Sequence, residues 1–420
     1  MTAKPANPTA AGLLPFREAR KRVEGEAARM RPSGAEAVPL LRSLGRVLAQ
    51  EVAADRDLPP FPRATRDGYA LRAADLSRLP AELKVIGEIR AGGALDPSLC
   101  PLAPGCAAEI MTGAPVPEGA DAVVMVEYTS RHGDQVVVER AVAAGENVVP
   151  TGSEARRGDV LLARGTRMTP AAIAAAAAAG QAEVRVHLRP RVAILPTGDE
   201  LVEIAVHPAE NQIRNSNSYS LAAQVEAAGG DPAQLPIAPD EHEPLRRLLQ
   251  EGLAADLLLV TGGVSAGKHD LVEEVLGEGG AEFLFTGALI QPGRPVVFGR
   301  APRRSGAEAT PFFGLPGNPV STMVTFELFV RPVLDALSGA PPAPLQFVKA
   351  RLKSEVKTRT GLTRFLPAVL SGEFEEAQVE MVRWSGSGDV AAAARANCYL
   401  VVPPNKENLA AGEVVSILMR

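Results

Sequence analysis

Three short stretches of this chain place glycine beside hydroxyl, amide or carboxylate side chains directly after an apolar run. They are Pro196-Thr197-Gly198-Asp199-Glu200, Thr261-Gly262-Gly263-Val264-Ser265 and Leu315-Pro316-Gly317-Asn318-Pro319. Glycine admits positive φ and lets a ligand approach the backbone amides closely. In the second stretch Leu257 to Val260 is wholly apolar, as in a parallel strand covered on both faces. Asp270 and Glu273 then have capping-box spacing, which predicts a helix from about Leu271 with its amide end aimed at the same loop. Strand, glycine turn and helix start together make a phosphate-binding geometry. Gly262, Gly267 and Lys268 also fit part of a Walker A loop, but His269 stands where that motif needs a hydroxyl for Mg²⁺. A P-loop nucleotidase is therefore disfavoured, while a ligand-free glycine turn stays open for this stretch taken alone. In the third stretch Asn318 reads as an N-cap and Pro319 as a first helical residue, leaving the amides of Val320 to Thr322 facing the edge.

Four carboxylates can be placed at or near the same edge: Glu200, Asp240, Asp270 and, from a separate β segment, Asp67. Gathered without a cation they would raise one another's pKa and repel an anion. A hard divalent ion such as Mg²⁺ removes both difficulties and also bridges phosphate oxygens. Plainer readings exist for each: Glu200 as a solvated loop residue, Asp240 as a turn or cap, Asp270 as the helix cap, and Asp67-Gly68 as a turn.

Positioning these groups requires a β-α-β region. From Arg189 onward, apolar runs at Val192 to Leu195, Gln234 to Ile237, Leu257 to Val260, Val296 to Phe298 and Phe312 to Leu315 alternate with helical spacing. The intervening helices are predicted over Tyr219 to Ala228, Glu243 to Glu251 and Leu271 to Leu276, with Val320 to Leu337 following and Pro332 interrupting it. The pattern is an α/β doubly wound parallel sheet over 189–338, whose ligands bind beyond the carboxyl ends of the strands. Residues 59–152 read as an inserted β domain of short runs broken by glycine and proline. The flanking segments 13–58 and 153–188 read as a discontinuous N-terminal helical domain, with helices expected over Phe16 to Met30, Pro39 to Gln50 and Ala171 to Ala179. After the linker Gly339 to Leu345, residues 346–420 read as a C-terminal β-barrel-like domain.

At 420 residues, with 46% hydrophobic and 22% charged residues, the chain can bury several cores. A net charge of −5 gives no basic surface for nucleic acid, so anion binding must come from local amides, arginines or a metal. Three cysteines without C-x-x-C spacing and five scattered histidines offer neither a disulfide framework nor a zinc site. The N-terminus lacks an apolar signal region and no 18-residue apolar stretch occurs, so no membrane association and a cytoplasmic location are expected.

The motifs in series resemble the molybdopterin molybdenumtransferase family, of the MoeA and gephyrin E-domain type. They are DGYA at Asp67, MTGAPVPEGADAVV from Met111, PTGDEL from Pro196, TGGVSAGKHD from Thr261, PGRP from Pro292, GLPGNPVS from Gly314, and SGSG with AN between Ser385 and Asn397. The resemblance implies adenylylated molybdopterin and molybdate as substrates, Mg²⁺, AMP release, and an elongated four-domain homodimer with sites between subunits. By position it implies catalytic roles for Asp67, Thr112, Glu200, Asp240 and Asp270, with Glu200, Asp240 and Asp270 as metal ligands. Substrate contacts are implied at Thr197, Gly198, Gly262, Gly263, Ser265 and Lys268. Others fall at Pro292, Arg294, Pro316, Gly317, Asn318 and Pro319, and in the C-terminal domain at Arg364 and Ser387. Two departures stand out: Gln291 and Arg294 occupy positions that are commonly lysine, and Leu362 and Pro367 replace arginines, leaving Arg364. A non-catalytic gephyrin-type scaffold and a molybdopterin adenylyltransferase are the rival readings. The carboxylate set argues against the first, and segments 59–152 and 346–420 argue against the second.

Overall fold

The computed structural model describes residues 12–93, 96–263, 271–303 and 309–419. Its central sheet runs in the order Asp231–Gln234, Arg191–Pro196, Leu257–Thr261, Thr310–Leu315, Val297–Ala301 and Glu282–Phe285. The first four strands are parallel, but Val297–Ala301 runs opposite to them rather than extending the parallel sheet, and Glu282–Phe285, antiparallel to it, returns to their direction. The physical reason is length: the link from Ala301 to Thr310 falls short of the dozen or more residues a parallel crossover needs.

Leu257–Thr261 is buried along its whole length, which explains its unbroken apolar run. Successive side chains point to opposite faces. Val192, Ile194, Leu257, Leu259 and Phe313 join one core with helices Phe16–Ala27 and Asn217–Ala227. Ala193, Leu195, Leu258, Val260 and Phe312 join the other with helices His242–Gly252 and Leu271–Glu278. Each such Leu or Phe contributes about 1.5–3 kcal/mol on full burial. The helix predicted over Val320 to Leu337 runs as Pro319–Thr325, a π turn at Phe326–Val330, and Arg331–Leu337. Pro332 has no N–H for the Leu328 carbonyl, and the buried Arg20 guanidinium donates to that carbonyl instead.

The N-terminal segments meet through the strand pair Ala35–Pro39 and Glu183–His187 and through helix Pro170–Ala178, whose cap Thr169 accepts from the Ala172 amide at 3.2 Å. The helix expected over Pro39 to Gln50 does not form. A single 3₁₀ turn, Leu40–Ser43, ends before Gly45 at φ +75, and Val47 and Leu48 bridge to Arg167 and Val186. The apolar stripe misled because Leu41 and Leu44 point to solvent, at 82% and 57% exposure. Between these segments a six-stranded sheet orders as Ala122–Met125, Gly68–Leu71, Cys106–Ile110, Ala81–Ile89, Gln135–Val138 and Thr129–His132, with a core on each face.

At the C-terminus, Thr363–Ser371, Gln378–Met381, Phe347–Leu352, Val414–Met419 and Cys398–Val402 close into a five-stranded barrel. The strand Ile290–Gln291 of the α/β region adds to it in parallel, pairing Ile290 with Thr363 and Gln291 with Arg364. Phe16 packs edge-on against both Phe329 and Phe365, at 6.1 and 5.2 Å, so the first helix, the π turn Phe326–Val330 and the barrel share one contact. Among the described residues no helix is long and apolar enough to cross a membrane.

Candidate functional site

Pro196 pairs with Thr261, and Thr261 with Leu315, so three parallel strands end level and their loops leave side by side. The loops press together without side chains between them. A Cβ on Gly262, at φ +92, would lie 2.2 Å from the Thr197 carbonyl oxygen, and one on Gly263 would lie 2.6 Å from Thr197 Oγ1. Only glycine fits at either place. Gly198 is buried, Gly262 is half-buried and Gly263 is exposed, and the Gly262 amide donates to the Leu315 carbonyl at 3.3 Å. Thr197 is 1% exposed, and among the described residues its hydroxyl has no hydrogen-bond partner. Ser265, Lys268 and Asp270, together with the capping box built on Asp270, lie outside the described residues.

The acidic groups next to this cradle interact unfavourably with one another. The Asp240 amide donates to Asp199 Oδ1 at 3.1 Å, and Glu200 turns its carboxylate back over the backbone of Gly198. Desolvation pushes the Asp240 carboxyl above the ordinary carboxylate range, and the charges of Asp199 and Glu200 push it further, although its side chain still reaches solvent. Asp199 was legible only as the neighbour of Glu200. Among the described residues no three carboxylate, imidazole or thiol groups stand close enough to hold a metal ion.

Asp67 and Thr112 form a second, exposed pair in the inserted sheet. Asp67 Oδ1 accepts from the Thr112 amide at 2.7 Å and from its hydroxyl at 2.8 Å, and these donors hold the carboxyl below its ordinary range. Asp67-Gly68 is not a free turn. Gly68 opens a strand so close to its neighbour that a Cβ would lie 1.8 Å from the Val124 oxygen. Among the described residues no hydrogen bond joins this pair to the α/β edge of the same chain.

The C-terminal domain reaches the edge through its Ser385 to Asp389 turn. Asn318 occupies the N-cap position with extended backbone, but its side chain makes no capping bond. Two of the three amides expected to be free are used: Val320 donates to the Ser387 carbonyl at 3.0 Å, and Thr322 donates to the Asn318 carbonyl at 3.0 Å. Asp389 holds the turn, accepting from the Ser385 amide at 3.0 Å and the Ala392 amide at 2.9 Å. Sequence reasoning did not single out Asp389, although Asp before an alanine-rich run is an N-cap signal.

Arg364 is buried under the Pro292 turn. Its Nε donates to Gln291 Oε1 at 2.8 Å, and its Nη1 donates to the carbonyls of Arg359 and Leu362. Burial and then Arg359 lower its pKa. A neutral Gln291 in a position commonly lysine thus gives Arg364 an acceptor where a second cation would repel it. Pro292 follows a cis peptide bond, and Arg294 is exposed while its carbonyl accepts from Ala288 at 3.0 Å.

Residues 14–180 match the MoeA N-terminal region (domain I and II), residues 193–336 a probable molybdopterin binding domain, and residues 349–419 the MoeA C-terminal region (domain IV). A molybdopterin molybdenumtransferase of Staphylococcus aureus (strain Mu50) is 33% identical over 413 residues, covering 97% of this chain and 95% of that protein. A protein of the same description from Bacillus subtilis (strain 168) is 34% identical over 394 residues, covering 91% and 89%. The crystal structure of a molybdopterin biosynthesis moeA protein from Pyrococcus horikoshii OT3 superposes with a TM-score of 0.78 at 33% identity, covering 97% of this chain and 100% of that one.

Proposed function

Because the chain belongs to the molybdopterin molybdenumtransferase (MoeA) family, a group of transferases in molybdenum cofactor biosynthesis, we propose that it inserts molybdate into adenylylated molybdopterin with Mg²⁺-dependent release of AMP. The observation that carries this reading is the level cradle of three glycine loops beside Asp240, whose carboxyl pKa is raised by desolvation and by the charges of Asp199 and Glu200.

The cradle binds and orients. The glycines of the Thr197, Gly262 and Gly317 loops let a phosphoanhydride come close to the backbone. The mutual repulsion of Asp240, Asp199 and Glu200 fits a cation: Glu200 and Asp240, with Asp270, would hold Mg²⁺, which when bound neutralises charge on the phosphoanhydride. Asp67, kept ionised by its two bonds from Thr112, presents a fixed acceptor to the attacking molybdate or water. Molybdate itself is placed by the Ser387 hydroxyl and by the Arg364 guanidinium, whose Nη2 is not engaged by the bonds described above. The sulfur ligands that molybdenum prefers come from the pterin, so few protein cysteines are needed.

The same reading places the enzyme in the cytoplasm as a homodimer, with Asp67 and Thr112 of one subunit completing the α/β edge of the other. The direct test is to incubate the protein with adenylylated molybdopterin, Mg²⁺ and molybdate and to measure AMP. Release is expected only with all three present; binding of the pterin without AMP would leave a scaffold.

A further inference from the structure

We propose that Asn217 is a positioning residue that ties two of the glycine loops into one cradle; this rests on the substrate reading above and deepens it. Asn217 begins the helix Asn217–Ala227, an element belonging to neither loop. Its Nδ2 donates to Thr261 Oγ1 at 2.9 Å and to the Gly317 carbonyl at 2.8 Å. A carbonyl only accepts, so the nitrogen must face Gly317 and the amide orientation is fixed. Thr261 is 2% exposed, and its hydroxyl reaches on toward the Pro316 carbonyl at 3.5 Å. One amide therefore spans the base of both loops.

The need for such a brace follows from where the sheet stops. The ladder between the strands Leu257–Thr261 and Thr310–Leu315 ends at the Thr261 and Leu315 pair, with one further bond from the Gly262 amide to the Leu315 carbonyl at 3.3 Å. Beyond it the glycines offer no side chains to pack, yet the loops stay close: a Cβ on Gly317 would lie 3.6 Å from Gly262 Cα. Among the described residues Asn217 Oδ1 is buried without a partner, a cost that an apolar side chain of similar size would not carry. The polar contribution of the residue is thus its two donors.

Asn217→Asp keeps the shape and removes both donors, whereas Asn217→Ala removes everything. If the brace is right, both variants bind adenylylated molybdopterin at least about tenfold more weakly. Both also exchange the Gly262 and Gly317 amides at least about tenfold faster without ligand, and their half-saturation by molybdate is unchanged. Wild-type affinity and exchange in Asn217→Asp would overturn the proposal, since packing alone would then suffice. Should Asn217→Asp not fold, Asn217→Ala decides on the same two readouts. If wild-type protein binds no adenylylated pterin, the substrate reading fails while the exchange comparison still decides the brace.

Discussion

Asp240 sets stability against function at a single side chain. Its carboxyl is held above the ordinary range by desolvation and by Asp199 and Glu200, so the native state binds that proton more tightly than the unfolded chain does. The stability it contributes is full at low pH and falls as pH rises from the unfolded value through the raised native one. Asp240→Asn should therefore unfold at an equal or slightly higher temperature than wild type at pH 8 without Mg²⁺. In the assay it should release AMP at least about a hundredfold more slowly, roughly 2.7 kcal/mol of lost transition-state stabilisation. A variant with both a lower melting temperature and wild-type turnover would reverse the assignment. Asp67 has the opposite sign: the Thr112 donors lower its pKa, so its contribution is present above the unfolded value and lost as pH falls through the native one. Thr112→Ala removes the hydroxyl donor and should shift the Asp67 carboxyl titration upward, as followed by NMR. Asp240 and Asp67 entered the sequence reading as carboxylates placeable near one strand edge and through the family resemblance, beside plainer readings as a turn or cap. Asn217 was not, because its role depends on two acceptors 44 and 100 positions away in the chain.

Among the elements, the Ser385 to Asp389 turn couples the barrel to the α/β edge. Its Ser387 carbonyl receives the Val320 amide, and Asp389 fixes its shape through two backbone bonds that also lower the Asp389 pKa. Asp389→Ala should leave adenylylated molybdopterin binding intact while raising half-saturation by molybdate several-fold, about 1 kcal/mol for each fivefold. Equal molybdate dependence in wild type and variant would remove the turn from the oxyanion site. The strands Arg191–Pro196, Leu257–Thr261 and Thr310–Leu315 were readable because both faces are covered, which makes their runs largely apolar. The edge strand expected at Gln234 to Ile237 instead forms at Asp231–Gln234, where exposure leaves no apolar run, and the edge strand Glu282–Phe285 was missed. The Pro39 to Gln50 stretch was misread because Leu41 and Leu44 share the helical spacing of Leu40 and Leu48 but face solvent rather than the core, and Gly45 broke the turn. Asn318 and Pro319 correctly marked a helix start, yet the sequence had no means of showing that the capping acceptor would be a carbonyl from the other end of the chain.

At the scale of the molecule, the open question is how the Asp67 and Thr112 pair meets the α/β edge, since no hydrogen bond among the described residues joins them within one chain. In the proposed twofold dimer each site would be supplied by both chains. Sedimentation should then give about twice 43.9 kDa at micromolar concentration. Complementation is the sharper test. Asp67→Asn and Asp240→Asn homodimers should each be nearly inactive, because every site in them carries one lesion. In a mixed dimer built across the interface, one site carries both lesions and the other carries neither. Random reassortment makes about half of the dimers mixed, so an equimolar mixture should recover about a quarter of wild-type AMP release per site. If both residues served a site within one chain, every site in the mixture would keep exactly one lesion, and mixing would recover nothing.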